Sequence, residues 1–124
     1  MKNDDIYGID VTKGLAVVGN NKAVFVRLLK SFAASSLCDE LVGALGAGDT
    51  SLAMSKAHAL KGVSGNMRFD RLFELVKSVE ADLKDGKRID SDDERISGLV
   101  ATHAKTLESA NRLIANPDLL NDVV

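Results

Sequence analysis

The sequence predicts an all-α fold, an up-and-down four-helix bundle with an additional short N-terminal helix. Three observations lead there. Apolar residues recur at helical spacing along several segments, short turns rich in Gly, Asn and Asp separate those segments, and no alternating Val/Ile/Thr run argues for a sheet. A single proline among 124 residues leaves the segments unbroken.

Taken in order, Asp10 is a good N-cap for a short helix through about Val18, and Gly19-Asn20-Asn21 closes it and opens the next. In the next helix Phe25, Leu28, Leu29 and Phe32 fall on one stripe. After Phe32 the phase changes, because Leu37, Leu41, Ala44 and Leu45 share a different face. Ser36 followed by Asp39 resembles a capping box, which places a kink or break near Ser35-Ser36. Gly46, Gly48 and Asp49 form a tight turn into a helix from about Thr50 to Gly65. After a connection over 66–69, Asp70 to Lys84 forms an amphipathic helix ended by Asp85-Gly86. Ser91 and Glu94 form a second capping-box pattern, and the last helix runs to about Ala115, stopped by Asn116-Pro117. The tail from Asp118 folds back or frays. No repeat or linker divides the chain, so residues 1–124 are expected to form one domain with a core of about 8–115.

Composition excludes several classes of function. Apolar residues make up 45% and charged residues 27%, the balance of a globular protein. The net charge of −2 comes from charges of both signs spread along the chain, which offers no footprint for nucleic acid. Apolar runs fall far short of the roughly 20 residues that cross a bilayer, and MKNDDIYGID has no signal-peptide core, so a cytoplasmic protein without membrane partners is expected. Cys38 alone excludes an internal disulfide and any CxxC metal site, and reads as a small packed residue. The acidic run DSDDE at Asp90 to Glu94 lacks the glycine and later ligands of a calcium loop, so capping explains it better.

The two histidines differ in setting. At about 100° per residue, Leu52, Ala53, Ala57, Leu60, Val63 and Ser64 share the core arc of the third long segment, and His58 lies nearly opposite. Beside it stand Ser55, Lys61, Gly62 and Gly65, with Met54 the bulky apolar neighbour. Glycine within a helix costs about 1 kcal/mol against alanine, so Gly62 and Gly65 argue that a large partner needs the space. The alternative is an ordinary exposed histidine with glycines serving packing or termination. His103 shares its stripe with Ile96, Leu99, Val100, Leu107, Ala110 and Ile114 and is expected to point inward as a core histidine. No HExxH or HxxxH spacing joins the two, so no metal is expected. An exposed imidazole is a nucleophile that can accept a phosphoryl group, and Lys61 at i+3 can counter its charge. No phosphate-binding glycine loop of the GxxxxGK[ST] kind occurs, so no nucleotide or other cofactor is expected.

The stretch His58-Ala59-Leu60-Lys61-Gly62-Val63-Ser64-Gly65-Asn66 resembles the HxxKG signature of histidine phosphotransfer (HPt) domains of multistep two-component phosphorelays. Gly8-Ile9-Asp10 with Gly14-Leu15, Leu28-Leu29 with Phe32, Gly48-Asp49, Leu72 and Gly86 extend the likeness over about residues 8–115. The resemblance implies a phosphocarrier without kinase activity of its own. His58 would take a phosphoryl group from the aspartate of one response-regulator receiver domain and pass it to another, within a pathway headed by a hybrid sensor histidine kinase. It further implies that Lys61 stabilises the phosphoryl group, that Gly62 leaves room for the receiver, and that Gly65 helps backbone geometry and close approach. The polar residue that orients the histidine in the family falls on Glu80, beside the stripe of Phe69, Phe73 and Val76, which suits a residue turned toward the neighbouring helix or an edge salt bridge. Mg²⁺ would belong to the receiver. The chain departs from the family after Met67, where Arg68 and Phe69 replace a glycine and a small residue, and Arg68 adds a charge for receiver docking. A monomer is expected. The rival readings are a non-catalytic helical adaptor using the same face, and a hydrolase or transferase with His58 as general base.

Overall fold

A computed structural model describes residues 5–90 and 92–122. Helices dominate: α1 (Val11–Val17), α2 (Lys22–Ala34), α3 (Leu37–Ala47), α4 (Thr50–Asn66), α5 (Asp70–Lys84) and α6 (Glu94–Ala115), followed by a 3₁₀ segment, Pro117–Asp122. The caps are the local cause of most boundaries. The Asp10 carboxylate accepts from the Lys13 N–H at 3.1 Å, Asn21 from Val24 at 3.1 Å, and Asp49 from Leu52 at 3.1 Å. Gly48 and Gly86, at φ 72° and 76°, close α3 and α5 in the left-handed conformation.

Several boundaries arise differently from the sequence reading. The break between α2 and α3 is real, with Ser35 extended at φ −78°, ψ 141°. Its chemistry is not the Ser36/Asp39 box: the Ser35 hydroxyl accepts from the Leu37 N–H at 3.2 Å, and Ser36 Oγ donates to Glu40 Oε1 at 2.7 Å. Gly46 lies inside α3 rather than in the turn. Ser91 is outside the described residues, and Asp93 caps α6 by accepting from the Arg95 N–H at 2.9 Å. The tail folds back as far as Asp122, burying Leu120, while Lys22 Nζ donates to Asn121 Oδ1.

A small antiparallel hairpin joins the helices at the N-terminal end, where no sheet was expected. β1 (Asp5–Ile6) pairs with β2 (Ile9–Asp10) around Tyr7 and Gly8. Ile9 also bridges to Phe69, the Asp10 N–H donates to the Arg68 carbonyl and the Asp70 N–H donates to the Gly8 carbonyl, each at 2.9 Å. The hairpin therefore fastens the α4–α5 turn. Next to it Gly14 lets α1 settle, since a Cβ there would stand 2.8 Å from Phe25 and 3.1 Å from the Met67 carbonyl.

Helix α4 packs between α3 and α5, α6 packs on α5 and α2, and α3 also touches α6. The core between them includes Phe25, Leu29, Leu41, Leu60, Phe69, Leu72, Leu99 and Leu113, with the Phe32 and Phe69 rings 4.6 Å apart. Cys38 is buried here, and loss of hydration followed by the nearby Asp39 charge pushes its thiol up to about 11, as the packed-residue reading expects. Three residues expected in the core stand outside it: Leu28, Leu52 and Val100 lie at stripe edges and remain exposed, Leu52 at 44%. Ser64 and Thr106 are buried polar residues that bond back to the Leu60 and Thr102 carbonyls, at 2.7 and 2.8 Å. No described helix is long and apolar enough to cross a membrane.

Candidate functional site

Helix α4 buries Ala53, Ala57, Leu60 and Ser64, a face of mostly small side chains, so its neighbours approach closely. That stripe turns His58 outward, with 72% of its side chain exposed. Helix α5 buries Leu72, Val76, Val79 and Leu83 and, on the edge facing α4, Glu80. The two helices thus bring an exposed imidazole to a carboxylate that is only 3% exposed.

His58 Nδ1 lies 2.8 Å from Glu80 Oε2, and Lys61 Nζ lies 2.5 Å from Glu80 Oε1. Lys84, one turn beyond Glu80 on α5, places its Nζ 3.5 Å from the same Oε1. Burial alone would raise the Glu80 pKa. The hydrogen bonds from Lys61 and His58, with the charges of Lys61 and Lys84, outweigh it and hold the carboxyl at about 2. At neutral pH the carboxylate is therefore ionised and can only accept. The proton in the 2.8 Å contact must sit on His58 Nδ1, which leaves the Nε2 lone pair as the free nitrogen of the neutral ring. An anchored imidazole with one free nitrogen on an open face is equipped for nucleophilic attack.

The surrounding residues divide unequally. At Gly62 a Cβ would meet nothing within 4 Å, so nothing inside the chain demands glycine there. Gly65 is different, and the expectation that it clears the outer face is corrected: a Cβ there would stand 3.1 Å from Phe73 Cε1, so this glycine serves the approach of α4 to α5. Arg68 is not brought to the cluster. It lies in the α4–α5 turn, ten positions and about 15 Å along the helix direction from His58, with Nε donating to Asp70 Oδ1 at 3.2 Å. Its φ of 59° is a glycine-like conformation held by an arginine. His103 is half-buried rather than sealed in the core, its ring edge-on to Phe32 at 5.3 Å. Burial lowers its pKa, against the Asp39 charge. The sequence reading missed Lys84, although its i+4 spacing from Glu80 is the signal that finds it. Among the described residues no group of three His, Cys, Asp or Glu side chains could hold a metal ion.

Residues 32–122 match the family model described as the Hpt domain. The chain belongs to the Hpt domain family. The match begins at Phe32, so the hairpin, α1 and most of α2 lie ahead of the matched region of this Hpt domain. Among solved structures, the HPT domain of a sensor hybrid histidine kinase from Shewanella superposes with a TM-score of 0.81, over 90% of this chain and 97% of that one, at 18% sequence identity. At that identity the likeness establishes a shared fold. No curated protein matches the sequence of this Hpt domain.

Proposed function

We propose that this Hpt domain is a phosphocarrier whose acceptor atom is His58 Nε2. The Nε2 lone pair attacks the phosphorus of a receiver aspartyl phosphate, an N–P bond forms, the acyl O–P bond breaks, and the aspartate leaves as a carboxylate. No proton has to move, because Nδ1 keeps its hydrogen on Glu80 while the ring becomes cationic. The observation that carries this reading is the exposed ring held at 2.8 Å through Nδ1 by an ionised, buried carboxylate. It fixes the ring orientation and stabilises the positive charge formed on transfer.

In this reading Lys61 leaves Glu80 to meet the phosphoryl oxygens, Gly62 admits the receiver surface, Gly65 keeps α5 and its Glu80 close to α4, and Arg68 adds charge at the rim of the docking face. The Mg²⁺ for transfer is the receiver's. The partners are response-regulator receiver domains, one of which belongs to or follows a hybrid sensor kinase. The scaffold is one monomeric domain in the cytoplasm, an up-and-down bundle of α2 with α3, α4, α5 and α6, capped by α1.

The test is incubation with a receiver domain phosphorylated by acetyl phosphate in Mg²⁺, followed by intact mass and acid lability. Wild type should gain one acid-labile, base-stable phosphoryl group and His58→Gln none. A folded wild type that binds the receiver yet takes no phosphate makes the chain an adaptor instead.

A further inference from the structure

Resting on that phosphocarrier reading, we propose that Lys84 is a positioning residue of the same site, the cation that stays on Glu80 when Lys61 turns to the phosphoryl group. Two ammonium groups converge on one carboxylate oxygen: Lys61 Nζ at 2.5 Å and Lys84 Nζ at 3.5 Å from Oε1. Their origins divide the work. Lys61 is on α4, one turn from His58, and its ammonium can reach a group carried by the imidazole. Lys84 is on α5, one turn from Glu80, and its near neighbour in the cluster is the carboxylate itself.

Without Lys84, the departure of Lys61 would leave the Glu80 carboxylate facing the His58 Nδ1–H alone, from a position with 3% exposure. An uncompensated buried charge is costly, and the strain would fall on the hydrogen bond that orients the ring. Lys84 answers this at small cost in movement. Its side chain is 55% exposed, free to shift, and closing from 3.5 Å to an ordinary charged hydrogen bond of about 2.8 Å needs no backbone displacement. Oε2 stays with Nδ1 throughout, so the ring is held before and after Nε2 takes the phosphoryl group.

The test measures transfer from an acetyl-phosphate-charged receiver domain to wild type, Lys84→Met and Lys84→Arg, together with the His58 Nδ1–H signal of the phosphorylated proteins in long-range ¹H–¹⁵N spectra. Lys84→Met should slow transfer about three- to fivefold, the scale of one half-exposed charge. It should also speed exchange of the Nδ1 proton with water. Lys84→Arg should restore the rate to within about twofold, since the cation is retained. Wild-type rates in Lys84→Met overturn the proposal. So does a slowed rate with an unaltered Nδ1–H signal, because Lys84 would then act on the receiver and not through Glu80. A wild type that accepts no phosphoryl group fails the phosphocarrier reading itself and removes this inference with it.

Discussion

Replacing Arg68 by glycine should stabilise the protein, although it removes an ion pair and adds a flexible residue. Arg68 sits at φ 59°, and the hairpin leaves it no choice: its carbonyl accepts from the Asp10 N–H at 2.9 Å, while the neighbouring Asp70 N–H is tied to Gly8. A side chain in the left-handed region costs about 1–2 kcal/mol, which glycine removes. Against this, glycine loosens the unfolded chain by about 0.4–1 kcal/mol, and loss of the half-exposed Arg68–Asp70 pair costs about 0–0.5 kcal/mol. The net is a gain of about 0.5 kcal/mol. Arg68→Ala is the control, since it loses the ion pair and keeps the strain. The glycine variant should exceed the alanine variant by about 1 kcal/mol, or about 3 °C in Tm for a chain of this size. Urea unfolding and thermal melts monitored by circular dichroism measure both. An alanine variant as stable as the glycine variant would refute the claim that the turn holds Arg68 in a strained conformation.

Other consequences follow from the same geometry. Gly62→Ala should raise stability by about 1 kcal/mol, because the added methyl meets open space within a helix, yet slow phosphoryl transfer; Gly65→Ala should gain less in urea melts, because its methyl presses on Phe73. The Glu80 carboxyl, lowered to about 2 from 4.5, contributes stability that is complete above pH 4.5 and is lost as pH falls toward 2. The gap in urea midpoint between wild type and Glu80→Gln should therefore be widest above pH 4.5 and shrink below it, and a gap independent of pH would refute the assignment. His103 has a lowered pKa, so its neutral form is favoured in the fold and stability declines as pH drops below its ordinary 6.5. His103→Phe should flatten the fall in urea midpoint from pH 7.5 to pH 5.5.

What was legible in the sequence was local. Asp10, Asn21 and Asp49 announce their helices because a side-chain cap acts within three residues, and Gly48 and Gly86 end theirs because a left-handed φ favours glycine. The outward turn of His58 followed from the Ala53–Ala57–Leu60–Ser64 face, and Glu80 followed from the family resemblance. The hairpin was not legible, because its value depends on pairing with residues some sixty positions away around Phe69. Leu28, Leu52 and Val100 lie on the edges of apolar stripes, where helical spacing alone cannot tell a covered flank from a bare one. At the α2–α3 break two adjacent serines compete for one role, and the extended backbone of Ser35 gives the cap to its own hydroxyl.

The central claim is that Glu80 holds Nδ1 and so leaves Nε2 as the reactive atom of His58. The most direct measurement is assignment of the phosphorylated ring nitrogen by long-range ¹H–¹⁵N and ³¹P spectra of ¹⁵N-histidine-labelled protein after transfer from a phosphorylated receiver. The structure predicts phosphorus on Nε2 with a hydrogen retained on Nδ1. Phosphorus on Nδ1, or on His103, would contradict it.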